Sequence, residues 1–97
     1  MKGISIKDFM NKVYYGDELE FKIGDTTYFI QGFQSDGAYV LLLDCWNTID
    51  GTEPPHDYLL ELKCNSLEER FLQFEKARIF NGKNIYEVEN EISVLYG

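Results

Sequence analysis

"LEFKIGDTTYFIQGFQSDGAYVLLLDC", residues 19–45, is the stretch whose reading decides the fold. Leu19–Ile23 alternates apolar and charged side chains, the two-residue period of a strand with one buried face. Gly24-Asp25 follows, and then the β-rich run Thr26–Phe33. Two such runs around a two-residue Gly-X turn make a hairpin, because glycine supplies the positive φ that the turn needs. Gln34–Gly37, "QSDG", is a second turn signal. Ala38–Cys45 is apolar with little alternation and reads as the most buried, central strand.

Working outward, Ser5 with Asp8 three residues later marks a helix start, and Ile6, Phe9, Met10 and Val13 recur at helical spacing. This first helix runs to about Tyr15, with Gly16 as its stop. Beyond the apolar strand, Trp46 to His56 reads as a loop, stiffened by Glu53-Pro54-Pro55. Tyr58–Lys63 fits either a fourth strand or a helix opening, and the alternation of Tyr58, Leu60 and Leu62 favours the strand. Ser66 with Glu69 is a capping box for a helix carrying Leu67, Phe71, Phe74 and Ile79, ended by Asn81-Gly82. Asn84 with Glu87 opens a further helix with Ile85, Val88, Ile92 and Leu95 on one face. The expectation is one α+β domain over residues 1–97: an N-terminal helix, an antiparallel sheet of three to four strands, and two C-terminal helices packed on one face.

The chain has 97 residues and a net charge of −8, with seven Phe and seven Tyr as core material. The charge is uneven. Met1–Lys22 has four bases and four acids, and Lys63–Gly97 has five bases and six acids. Ile23–Leu62 holds seven acids and no Lys or Arg. A field of one sign repels nucleic acid and anionic membrane and attracts basic surfaces; it also serves solubility. The opening "MKGISIKDFM" lacks the apolar stretch of a signal peptide, and no apolar run is long enough to span a bilayer. Two cysteines, Cys45 and Cys64, fit a reducing compartment. The expected location is therefore the cytoplasm.

Candidate chemistry concentrates in Asp44–Tyr58, which holds the one Trp, the one His, both prolines and Cys45. Cys45 and His56 could form a nucleophile and base with Asp44 or Asp57 orienting the imidazole, but no motif surrounds them. Cys45 reads equally as a small apolar residue ending a strand. Two Cys and one His without C-x-x-C do not make a zinc site, and "DGTE" (Asp50–Glu53) lacks the calcium-loop pattern. "IGDTTY" (Ile23–Tyr28) lacks the Lys-Ser/Thr of a phosphate loop. Tyr28, Phe29, Phe33 and Tyr39 sit among residues without bases, which argues against direct nucleic-acid binding. With both cysteines at the C-terminal ends of antiparallel neighbours, a Cys45–Cys64 disulfide is not expected. The expectation is a non-enzymatic protein without cofactor or metal. It would meet a basic-surfaced protein partner through Trp46, Asp44, Asp50, Glu53 and Asp57. Trp46 supplies the side chain most enriched in binding hot spots.

The tail "ERFLQFEKARIFNGKNIYEVENEI" (Glu69–Ile92) resembles the C-termini of small acidic uncharacterised proteins of low-GC Gram-positive bacteria and their mobile elements. That resemblance implies a detail of fold and no activity. The element order and acidity are also loosely similar to phage-encoded anti-CRISPR inhibitors of an RNA-guided nuclease. That likeness implies a DNA-mimic inhibitor as the alternative function.

Overall fold

A computed structural model describes residues 1–47 and 58–97. Asp50, Glu53, His56 and Asp57 lie outside the described residues. The elements are α1 (Ile6–Tyr15), β1 (Leu19–Ile23), β2 (Thr26–Ser35), β3 (Ala38–Asn47), β4 (Tyr58–Cys64), α2 (Leu67–Lys76), a 3₁₀ turn (Tyr86–Glu91) and β5 (Ile92–Tyr96). The strands form one antiparallel sheet in the order β4-β3-β2-β1-β5. The α+β class holds, with five strands instead of three or four.

Local chemistry sets most boundaries. The Ser5 hydroxyl accepts from the Asp8 N–H, and Gly16 ends α1 in the left-handed region at φ 79°. The Gly16 N–H donates to the Val13 carbonyl and the Asp17 N–H to the Lys12 carbonyl, closing the helix end. Asp36 and Gly37, at φ 52° and 79°, form the tight turn between β2 and β3. The Ser66 hydroxyl accepts from the Glu69 N–H to start α2.

Three expectations are corrected. First, α2 stops at Lys76, well before Asn81-Gly82. These two residues, both at positive φ, make a two-residue hairpin turn instead, with Phe80 and Lys83 exchanging N–H···O=C bonds of 3.1 Å. Asn-Gly is a strong signal for such a turn as well as for a helix stop. Leaving the helix lets Phe80 drop into the core.

Second, the last helix is absent. The Asn84–Glu87 box forms, each side chain bonding the other's N–H at 3.0 Å, but it opens only a 3₁₀ turn. From Ile92 the chain is extended and pairs with β1. β-branched Ile92 and Val94 suit a strand, and β1 would otherwise leave its outer ladder open. Third, β3 is the most deeply buried strand but β2 is the central one, and Trp46 belongs to β3 instead of a loop.

Both α-helices pack on one face of the sheet. Leu19, Phe21, Tyr28, Ile30, Leu41, Leu43 and Ile92 point to that face and meet Phe9, Met10, Val13, Phe74, Phe80, Ile85 and Val88. Phe9–Phe21, Phe21–Tyr28 and Tyr28–Phe80 form ring pairs with centroids 5.1, 5.2 and 5.2 Å apart. Such pairs add about 1 kcal/mol each beyond burial.

One charged side chain lies inside this frame. Arg70 on α2 is 2% exposed, and its guanidinium donates to the Val40 carbonyl at 3.1 Å and the Tyr14 carbonyl at 3.0 Å. The second acceptor is in the last turn of α1, where the helix dipole favours a cation. Burial pulls the guanidinium's pKa down from its ordinary value, while Cys64 and Tyr39 push it back up. Gly32 makes room for it: a Cβ there would sit 2.8 Å from Arg70 Nη1 and 2.7 Å from Gly16 Cα. The Gly32 N–H also donates to the Gly16 carbonyl at 3.1 Å.

Arg70→Ala is expected to cost about 3 kcal/mol, since it strands two buried carbonyls. Arg70→Lys should recover little of this, because one ammonium does not reproduce the planar fork that spans both acceptors. Gly32→Ala should cost about 2 kcal/mol by overpacking. Urea unfolding of the three variants checks this; a wild-type midpoint for Arg70→Lys would contradict it.

Candidate functional site: the outer sheet face

Residues directly opposed across antiparallel strands share a face, so the register defines what the second sheet surface carries. Its rows are Lys22–Thr27–Trp46, Glu20–Phe29–Asp44–Tyr58, Gln31–Leu42–Glu61 and Phe33–Val40–Lys63. A register shift after Leu43 leaves Leu59 as the extra residue of β4. No described helix packs on this face, and none of its residues belongs to the core cluster.

The surface is apolar and aromatic at its centre. Phe33 is 43% exposed, Tyr58 52% and Leu59 39%, while Phe29, Leu42 and Trp46 are half-buried. Among the described residues the charged side chains with exposed surface stand on the flanking strands, Glu20 and Lys22 on β1 and Glu61 and Lys63 on β4, while Asp44 on β3 is buried. β3 ends at Asn47 and β4 begins at Tyr58, so the two face residues nearest in sequence to the acidic segment are Trp46 and Tyr58.

Trp46 and Asp44 are thus brought to one face, two residues apart on β3. Trp46 offers surface there. Asp44 is 7% exposed and presents almost none to a partner. Asp50, Glu53 and Asp57 lie outside the described residues. Reading Asp44–Tyr58 as one unit missed Phe29, Phe33, Leu42 and Leu59. The alternation of Phe29, Gln31 and Phe33 against Tyr28 and Ile30 was the available signal, because a strand with bulky residues in both phases has two apolar faces.

Cys45 points the other way, against the core, and Cys64 is buried; both are free thiols. Cys64 stands opposite Tyr39 and Asp44 opposite Tyr58, so Cys45 and Cys64 lie at opposite ends of the β3–β4 ladder. Burial, and then Asp44, push the Cys45 thiol up; burial, and then Glu69, do the same to Cys64 against the opposing effect of Arg70. That is the reverse of an activated nucleophile. Among the described residues no group of three or more His, Cys, Asp or Glu could hold a metal ion.

A separate groove of about 450 Å³ opens along α1, between Met10, Tyr14, Phe71 and Tyr86. The Tyr14 hydroxyl donates to Glu68 at 3.3 Å and the Tyr86 hydroxyl donates to Glu75. Burial and then the Glu75 bond push the Tyr86 phenol up to about 12. This wall of the groove is held by hydroxyl–carboxylate contacts between elements.

Comparison with protein-family models, curated proteins and solved structures returns no match. The functional reading therefore rests on geometry and charge. No helix among the described residues is long and apolar enough to cross a membrane.

Two outcomes are expected. Iodoacetamide should label both thiols of the folded chain more slowly than free cysteine at the same pH, as mass spectrometry would read; faster labelling of Cys45 would contradict the thiol assignment. In an ultraviolet titration the last phenol should ionise near pH 12, and Tyr86→Phe should remove that step. Because the folded pKa lies above the unfolded value, the stabilisation is full below about pH 10 and lost as pH rises through the folded value.

Proposed function

We propose that the protein is a non-enzymatic interaction module. It binds a protein with a basic surface through the outer sheet face and the acidic segment joining β3 to β4. The observation that carries this reading is a sheet that the helices among the described residues cover on one side only. Its other side presents Phe29, Phe33, Leu42, Trp46 and Tyr58. An aromatic centre with charge at its rim is the anatomy of a protein-recognition surface. The choice of a basic partner follows from Ile23–Leu62, which carries seven acids and no Lys or Arg. In this reading the aromatic face supplies affinity, and the acids supply attraction at a distance and orientation.

The same base-free span favours a second reading, a DNA-mimic inhibitor that occupies the DNA site of a nucleic-acid enzyme. Such mimicry needs exposed carboxylates spaced like phosphates. On the described part of the face Asp44 is buried, and the one exposed carboxylate, Glu61, stands two residues from exposed Lys63, beside exposed Phe33 and Tyr58. Aromatic docking therefore ranks first, and DNA competition separates the two.

The test is capture of partners from lysate on the immobilised chain at low and high salt, followed by affinity measurement for the captured protein. Salt should weaken binding through the acidic segment. Phe33→Glu should lower affinity at least about tenfold, while Tyr15→Glu, on exposed α1 surface, should not. Asp50→Lys with Glu53→Lys should slow association and flatten the salt dependence. A partner bound equally by Phe33→Glu and wild type would overturn the sheet-face reading. Displacement of DNA from the partner that is lost with the double charge reversal alone would favour mimicry.

A further inference from the structure

The two outer edges of the sheet are treated differently. Beyond β5, Lys2 covers the ladder: its N–H donates to the Ile92 carbonyl and its carbonyl accepts from the Val94 N–H, both at 2.9 Å. At the opposite edge, β4 has no strand beyond it among the described residues. An uncovered edge is a row of unpaired backbone donors and acceptors, normally blunted by Pro, a bulge or charged side chains, of which β4 carries Glu61 and Lys63. In β4 the register shift is confined to the Tyr58 end, and Leu60–Cys64 is a regular strand.

We propose that β4 pairs antiparallel with β4 of a second copy of the chain, with Leu62 on the two-fold axis. This would join two sheets into one of ten strands. An antiparallel two-fold pair keeps inner residues opposite inner residues, so only registers centred on a strand residue continue the sheet. Charge then selects among them. Centred on Leu62, the pairing sets Glu61 against Lys63 of the other copy, twice by symmetry, with Leu60 against Cys64. Centred on Glu61 or on Lys63, it sets a charge against its own copy, which is unfavourable. Centred on Leu60, it runs into the irregularity at Leu59.

The edge charges are suited to an outside partner. Within the chain, Glu61 and Lys63 lie across from Leu42 and Val40 of β3, and neither has an ion-pair partner among the described residues. Both are exposed. The contact lies at an edge, so it leaves the centre of the outer face available for recognition.

Sedimentation of the 97-residue chain from micromolar to millimolar concentration tests the proposal. A reversible monomer–dimer equilibrium is expected. Glu61→Lys and Lys63→Glu should each weaken it about tenfold, since each converts two attractive contacts into two repulsive ones. The double swap should restore wild-type association, and so should mixing the two single variants, which brings unlike charges together at both contacts. Both positions are exposed, so folding should survive, as circular dichroism would check. A chain monomeric throughout, single reversals without effect, or no recovery on mixing would overturn the proposal. So would a dimer broken by Phe33→Glu and indifferent to the charge swaps.

Discussion

The guanidinium of Arg70 spans the gap between α1 and β3, and the remaining geometry depends on that bridge. One side chain on α2 fixes the last turn of α1 through Tyr14 and the sheet through Val40. The close approach is possible because Gly16 and Gly32 present no Cβ at the contact. A buried guanidinium is costly to desolvate. Here two backbone carbonyls and the negative end of a helix dipole offset part of that cost. Apolar packing alone would hold two helices on a sheet with freedom to slide; a forked donor with two fixed acceptors sets their position. Arg70 can do this because it sits on the same helical face as Phe74, four residues on, which anchors α2 in the core.

With both helices held on one side, the sheet acquires two different surfaces. The inner one is a core. The outer one is built from strands whose alternate residues are also apolar, and no described element lies over it. Buried Thr27 and Val40 show that this face is packed in its own right. Exposed Phe33, Tyr58 and Leu59 show where it stops being covered.

Sequence patterning revealed much of this. The period-two alternation of Leu19–Ile23, the Gly24-Asp25 and Asp36-Gly37 turns and the unbroken apolar Ala38–Cys45 each correspond to a strand or turn in the structure. Ser5, Ser66 and Asn84 all make the capping bonds their spacing implied. The errors arise where one signal serves two structures. Asn81-Gly82 suits a helix stop and a tight hairpin turn equally, and Phe80's place in the core decided between them. The spacing of Ile85, Val88 and Ile92 fits a helix, but Ile92 and Val94 also fit a strand, and only the open ladder of β1 favours the latter. Arg70 was invisible among the exposed charges of its helix, because its acceptors come from segments thirty and fifty-six residues away. For the site, Trp46 was legible by its rarity. Phe29 and Phe33 were legible as sheet aromatics but not as neighbours of Trp46, since a one-dimensional reading of Asp44–Tyr58 cannot show which strands lie beside it.

A sheet with one face covered by helices and the other left open by the described residues is tested most directly by nuclear magnetic resonance with a soluble paramagnetic probe. Signals from the side chains of Phe33, Leu42, Trp46 and Leu59 should broaden strongly, while those of Phe9, Phe21, Ile30 and Phe74 should stay sharp. Equal protection of the two groups would mean that the outer face is covered in solution, and would contradict the account.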